Sequence, residues 1–122
     1  LVLCLQFVEG CDSRERRYRL SGTVTYNNAP VPAGYIVLEP EVAKGNSGGP
    51  GRARINDGKY DTRVYDSVGT IGGPHVVHIV GFDKKVTGSG VSEVALPKSL
   101  FHDFTVSEDL PKRDSRMDFH IK

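Results

Sequence analysis

The stretch Tyr18-Arg-Leu-Ser-Gly-Thr-Val-Thr-Tyr26 decides the fold, because apolar or small residues occupy every second position in it. Polar or basic residues fill the positions between them. This period of two is typical of a β-strand that buries one face. The next four residues, Asn27-Asn-Ala-Pro30, break the period and predict a turn, since Asn tolerates a positive φ.

Short β-rich runs continue outward from this strand, separated by Gly, Pro, Asn and Asp. Asp57-Gly58 is the strongest hairpin signal in the chain. No window has convincing helical periodicity. About six to eight strands at this spacing indicate an all-β domain, a single antiparallel β-sandwich of about seven strands and immunoglobulin-like or prealbumin-like type. The further strands are predicted at 34–38, 52–56, 59–65, 76–82, 104–107 and 117–121.

The same alternation predicts which side chains form the core, because residues two apart on a strand point to one face. The predicted core residues are Leu20, Val24, Ile36, Leu38, Ile55, Tyr60, Val77, Ile79, Phe104, Val106, Met117, Phe119 and Ile121.

The composition is that of one ordinary globular domain. Of 122 residues, 38% are hydrophobic and 25% are charged, a balance that argues against a disordered tail. Lys and Arg number 16 against 15 Asp and Glu, so no net field attracts nucleic acid. We therefore expect no nucleic-acid partner, while the oligomeric state stays open.

An apolar run, Leu1-Val-Leu-Cys-Leu-Gln-Phe-Val-Glu-Gly-Cys11, opens the chain. It is shorter than the roughly 20 residues that span a bilayer, but it has the length of the apolar part of an export signal. Val8-Glu-Gly-Cys11 resembles the lipobox of bacterial lipoproteins, although Glu9 departs from the small residue usual there. The chain does not begin with Met, so we expect the leader to start upstream. A first β-strand or a buried N-terminus is the alternative.

The lipobox resemblance divides the chain into three parts: a truncated signal segment at 1–11, a polar tether at 12–17 and the domain at 18–122. It implies that Cys11 is lipidated and that the protein is anchored to the bacterial cell envelope membrane, outside the cytoplasm. Cys4 and Cys11 are the two cysteines of the chain, so the domain itself has no disulfide. A short Cys4–Cys11 bridge remains the alternative.

Several motifs of the domain resemble one known family. Leu20-Ser-Gly-Thr-Val-Thr-Tyr-Asn-Asn-Ala-Pro-Val-Pro-Ala-Gly-Tyr-Ile-Val-Leu-Glu-Pro40 resembles the opening of carboxypeptidase regulatory-like (transthyretin/prealbumin-like) domains. Asp57-Gly-Lys-Tyr60 is similar to the second hairpin turn of that family, and Gly73 to Phe82 to its closing strand. The end of the chain resembles short planctomycete lipoproteins of this kind. The resemblance implies a small β-sandwich but no particular activity.

Residue types capable of catalysis or metal binding are present but do not converge in sequence. His75 and His78 are three apart, so on one strand they point to opposite faces, with His75 on the core parity. An iron site built from two Tyr and two His would use Tyr60, Tyr65, His75 and His78, but the histidine spacing is wrong for it. Carboxylates near Asp57-Gly58 are explained by the turn. We predict no catalytic, cofactor-binding or metal site.

These observations predict a non-enzymatic, membrane-tethered module that acts by contact, in a structural, adhesion or accessory binding role. Its sheet faces or the loops 41–51 and 83–90 would carry recognition of an envelope protein or polysaccharide. The alternative is an accessory carbohydrate-binding or hydrolase-associated domain acting on envelope polysaccharide. Sugar binding favours exposed aromatic rings, and the absence of Trp with most of the five Tyr on core parity disfavours it.

Overall fold

A computed structural model describes residues 16–64, 66–85 and 96–122 of the chain. The described residues contain nine β-strands and one 3₁₀ turn, Val42–Lys44, but no α-helix, which confirms the all-β prediction. Accordingly, none of them forms a helix that could cross a bilayer. The strands are β1 Leu20–Tyr26, β2 Ala29–Pro30, β3 Ala33–Pro40, β4 Gly51–Asn56, β5 Lys59–Asp61, β6 Gly73–Phe82, β7 Phe104–Leu110, β8 Ser115–Arg116 and β9 Phe119–Ile121.

Seven of these strands follow one path through a curled sheet, in the order β2-β1-β5-β4-β3-β6-β7. The sheet forms a half-barrel, and its concave side holds the core. Every pair along this path is antiparallel. The longest ladder joins β3 to β6 over eight residue pairs, from Ala33 opposite Phe82 to Pro40 opposite His75.

Two tight hairpins set the register of the sheet, and both were predicted. Asp57 and Gly58, with φ of 52° and 78°, join β4 to β5. Asn27 and Asn28, with φ of 51° and 67°, join β1 to β2. Two successive positive φ values are the geometry of the type I′ turn, whose twist matches that of the flanking strands. Ala29 and Pro30, predicted as part of the turn, instead form the short strand β2.

The C-terminal strands correct the prediction of a purely antiparallel fold. β8 and β9 pair with β1 on the side opposite β5, and both of these ladders are parallel. The first strand of the domain therefore lies between β5 and β2 on one side and the last two strands on the other. Sequence periodicity identifies such strands but carries no information about their direction relative to a distant partner.

A close approach of backbones at Gly22 holds this arrangement together. A Cβ at Gly22 would lie 1.9 Å from the carbonyl oxygen of Met117. The hydroxyl of Tyr60, which is opposite Gly22 on β5, donates a hydrogen bond of 2.6 Å to that same carbonyl. Asp118 accepts the Thr23 backbone N–H at 2.8 Å, so a side chain bridges the gap between β8 and β9.

Ten of the thirteen predicted core residues are buried. Phe104 and Val106 are only partly buried because β7 is the last strand of the path, and Met117 lies at the interruption between β8 and β9. The prediction missed Val31, Ala53 and Leu110, which are also buried. Val31 lies outside any strand, but its backbone bonds to Val24 and Gly58.

The described chain attaches to the sheet just before β1. The Arg17 guanidinium donates to the carbonyls of Gly49 and Gly69, at 3.1 and 2.9 Å. Tyr18 and Thr70 exchange two backbone hydrogen bonds. Arg17, which the sequence placed in the polar tether, therefore contacts the domain, and the rest of the tether up to residue 15 lies outside the described residues.

Candidate functional site

His75 is fully buried, and its contacts are those of a structural residue. Its Nδ1 lies 2.8 Å from the Gly73 carbonyl oxygen, and its Nε2 lies 3.3 Å from the Thr70 hydroxyl. Because a carbonyl only accepts, Nδ1 carries the proton and Nε2 accepts from Thr70. The Thr70 hydroxyl in turn accepts the Gly72 N–H at 3.0 Å. This chain of hydrogen bonds fixes the Gly-rich passage before β6.

The other histidines lie apart from His75, as the strand parity predicts. His78 points to the opposite side of β6, where its Nε2 is 2.9 Å from Glu39 Oε1. His120 is exposed on β9 and contacts the Thr25 hydroxyl at 2.9 Å, and His102 is exposed in the segment before β7. No group of three His, Cys, Asp or Glu side chains suited to a metal ion occurs in the described parts of the chain.

Among the described residues, the Tyr and His side chains weighed as an iron site do not meet. Tyr60 is buried beneath β1, and burial raises the pKa of its phenol well above the ordinary value. His75 and His78 lie on opposite faces of β6. Tyr65 falls outside the described residues, as does Cys11, the predicted lipidation site.

The side chain of Asn46 connects the loop 41–51, predicted as a recognition loop, to the start of β6. The Asn46 amide donates to the carbonyls of Gly72 and Pro74, at 3.1 and 2.7 Å. The second predicted loop, 83–90, is described only to Lys85, whose ammonium group is 2.9 Å from Asp57. Neither loop brings reactive side chains together among its described residues.

The convex side of the sheet, called the outer face here, carries a row of partly exposed side chains. It consists of the residues of β1, β5, β4, β3 and β6 that point away from the core. Tyr35 on β3 is 46% exposed, and its ring lies 6.5 Å from that of Phe82 on β6. Arg54 on β4 is directly opposite Tyr35, and Arg52, opposite Val37, is its diagonal neighbour. An exposed aromatic ring next to arginines is typical of contact surfaces.

Two adjoining grooves cross the outer face. The first, of about 730 Å³, is lined by Tyr35, Arg52, Arg54, Phe82 and Lys85 among others. The second, of about 720 Å³, is lined by Arg19, Arg54, Lys59, Asp61 and Arg116 among others. Both volumes fall within the roughly 300–1,000 Å³ of small-ligand sites. Arg54 and Asn56 line both grooves, so the two adjoin at these residues, and together they are called the outer groove below.

One ion pair within the outer groove is strong by its geometry. The Arg19 guanidinium binds both carboxylate oxygens of Asp61, a bidentate arrangement. The hydrogen bond from Arg19 lowers the pKa of Asp61, and the same bond raises the pKa of Arg19. The Asp61 carboxylate therefore stays ionised at neutral pH and is paired with Arg19.

Sequence reasoning did not identify these groove residues. They come from the segment before β1, from strands β1, β3, β4, β5, β6 and β8 and from the segments after β5 and β6, so no local motif contains them. The one available signal was parity: Arg52 and Arg54 alternate with the buried Ala53 and Ile55, which places both arginines on one exposed face.

Comparisons with known proteins return no match to a family model, to a curated protein or to a solved structure. The resemblance to carboxypeptidase regulatory-like domains therefore rests on the motifs quoted above. The candidate site rests on the geometry of the outer face.

Proposed function

We propose that this protein is a non-enzymatic contact module of the bacterial cell envelope, tethered to the membrane by a lipid on Cys11 and acting through its outer face. The observation that carries the proposal is the exposed Tyr35 ring on the outer face, directly opposite Arg54 and diagonal to Arg52. Tyr and Arg are enriched among the residues that dominate binding energy at interfaces. The described histidines, in contrast, are engaged separately and do not share a site.

We assign the domain to the carboxypeptidase regulatory-like β-sandwiches as part of the same proposal. The curled antiparallel sheet supports it, since its two tight hairpins lie at the turns of the quoted motifs. The ladder of β1 with β9 also supports it, because β9 contains the end of the chain that resembles this family. Its side chains Phe119 and Ile121 lie in the core.

Replacing Cys11 with alanine is expected to release the exported protein from the membrane. Stable anchoring takes more than one acyl chain, and the lipobox Cys is the residue that would carry them. Exported protein with and without Cys11→Ala is separated into membrane and soluble fractions and quantified by immunoblot. Cys4→Ala is the matched control and should stay with the membrane. Retention of Cys11→Ala in the membrane fraction would show that the lipobox interpretation is wrong.

A photo-reactive phenylalanine analogue at Tyr35 is expected to cross-link the protein to envelope material in intact cells. The physical reason is that Tyr35 is exposed on the outer face. The same analogue at Val42, which is 72% exposed on the 3₁₀ turn, is the matched control. Adducts are measured as species of increased mass after irradiation. Equal adduct yields at the two positions would mean that the outer face is not the contact surface.

A second candidate function is accessory carbohydrate binding on envelope polysaccharide. Tyr35 is the one exposed Tyr among the described residues, because Tyr60 is buried and Tyr18 and Tyr26 are half-buried. Stacking of neutral sugars on several aromatic rings therefore has little support. The basic side chains of the outer groove, however, favour a charged sugar polymer.

A further inference from the structure

We infer that the outer groove binds an acidic polysaccharide, a linear sugar polymer with carboxylate or sulfate groups. The inference rests on the proposed function, because it names the kind of envelope partner that the outer face contacts. Its basis is a concentration of positive charge that the overall composition hides. The formal net charge of the chain is only +1, yet the described lining of the groove carries two carboxylates, Asp61 and Asp66, against six basic side chains, Arg19, Arg52, Arg54, Lys59, Lys85 and Arg116. Lys85 and Arg116 pair with Asp57 and Asp118 just outside the lining, so the excess of positive charge lies at Arg52 and Lys59 beside the exposed Arg54.

Three of the basic groups are available to a ligand. Arg52 and Lys59 have no hydrogen bond or ion pair to any other described residue through their charged groups. Arg54 is 3.4 Å from Asp66, but the two side chains are 77% and 52% exposed. An exposed pair of this kind contributes little and is easily exchanged for another anion. The groove thus presents cations that its own carboxylates do not neutralise.

The spacing of these cations suits a polymer with repeated charges better than a single anion. Arg52 and Arg54 are two residues apart on β4, which places their Cα atoms about 7 Å apart along the strand. Lys59 extends the row onto β5, where it is opposite Asn56. A small anion would contact one of these groups at a time, whereas a chain lying in the groove contacts all three.

The remaining lining favours a sugar polymer over other polyanions. Ser21, Thr23 and Asn56 offer hydroxyl and amide groups to sugar hydroxyls. Tyr35, at one end, offers one ring for stacking. Single-stranded nucleic acid would use several stacking rings, and a membrane surface would favour protruding apolar side chains over a recessed track.

The test measures binding of the full chain to polygalacturonate and to dextran sulfate, with unmodified dextran as the neutral control. The groove variant combines Arg52→Glu, Arg54→Glu and Lys59→Glu. The matched control combines Lys98→Glu, Lys112→Glu and Lys122→Glu, which makes the same change in net charge at exposed positions outside the groove. Circular dichroism and thermal melts check that both variants are folded, and affinity electrophoresis gives the dissociation constants.

We expect the full chain to bind at least one acidic polymer and not to bind dextran. In the groove variant the dissociation constant for the acidic polymer should rise by about tenfold or more. The dissociation constant of the control variant should change by no more than about threefold. Raising the salt concentration to about 0.5 M should weaken the binding of all variants to the acidic polymers. The polymer that binds distinguishes carboxylate from sulfate as the recognised group. Loss of binding in both variants alike would overturn the inference, since net charge alone would then be responsible. Absence of binding to both polymers would also overturn it.

Vesicles of phosphatidylglycerol form a further arm of the test. Tighter binding to these vesicles than to either polymer, lost in the groove variant, would identify the groove as a membrane-binding surface and overturn the inference. The Tyr35 cross-link described above reports contact whatever the charge of the partner. A failed polymer assay with a preserved cross-link would therefore reject the acidic polysaccharide and leave the contact module standing.

Discussion

Gly22→Ala is expected to abolish stable folding or to lower the free energy of unfolding by about 3 kcal/mol or more. The added Cβ would lie 1.9 Å from the Met117 carbonyl oxygen. Backbone cannot move aside as a flexible side chain can, so the C-terminal strands would have to separate from β1. That separation would also remove the acceptor of the Tyr60 hydroxyl and leave a buried donor unsatisfied.

Chemical denaturation in urea measures this effect, with Gly49→Ala as the matched control. A Cβ at Gly49 would approach only the end of the Arg17 side chain, at 3.2 Å. We expect the control to change the free energy of unfolding by less than about 0.5 kcal/mol. Equal stabilities of the two variants would contradict the close approach of β1 to the segment between β8 and β9.

Ile79→Ala is expected to lower the free energy of unfolding by about 2–5 kcal/mol. Ile79 is fully buried on β6, where it is opposite Ile36 on β3 and Phe104 on β7. Its truncation removes apolar surface from the core and leaves a cavity that the surrounding ladders can close only in part.

Val80→Ala provides the comparison in the same strand. Val80 is the next residue, points to the outer face and is only half-buried, so its truncation should cost clearly less. Urea denaturation gives the free energies of unfolding of both variants, from the shift of the midpoint at an unchanged dependence on urea concentration. The reverse order, with Val80→Ala the more damaging, would mean that β6 is shifted by one residue, which exchanges its two faces.

Local periodicity in the sequence was sufficient to predict the faces of the strands. The alternation through β1 and β6 correctly placed Leu20, Val24, Val77 and Ile79 in the core, and it separated His75 from His78. The two tight turns were also predictable, because Asn and the Asp-Gly pair tolerate the positive φ values that these turns need.

The pairing of strands that are distant in the chain could not be predicted from the sequence. Nothing in Phe119–Ile121 states that it lies parallel to β1, since either direction would bury Phe119 and Ile121 equally well. The outer groove was unpredictable for a related reason: Arg19, Arg54, Lys59 and Arg116 converge only after the sheet has formed. Phe104 and Val106 are partly exposed because β7 is the last strand of the path, although the alternation correctly predicted that they point towards the core.

The position of β1 between β5 and the C-terminal strands has a consequence for the order in which the domain can assemble. Leu20–Tyr26 leaves the ribosome before every other described strand, and its partner Phe119–Ile121 leaves it after all of them. Until those final residues emerge, one edge of β1 has no ladder, and Val24 lacks the neighbour that covers it. Closing so long a loop is slow compared with forming a local hairpin. Vectorial synthesis therefore keeps the domain short of its native state until Phe119–Ile121 has emerged, and every shorter nascent chain carries an unpaired edge of β1.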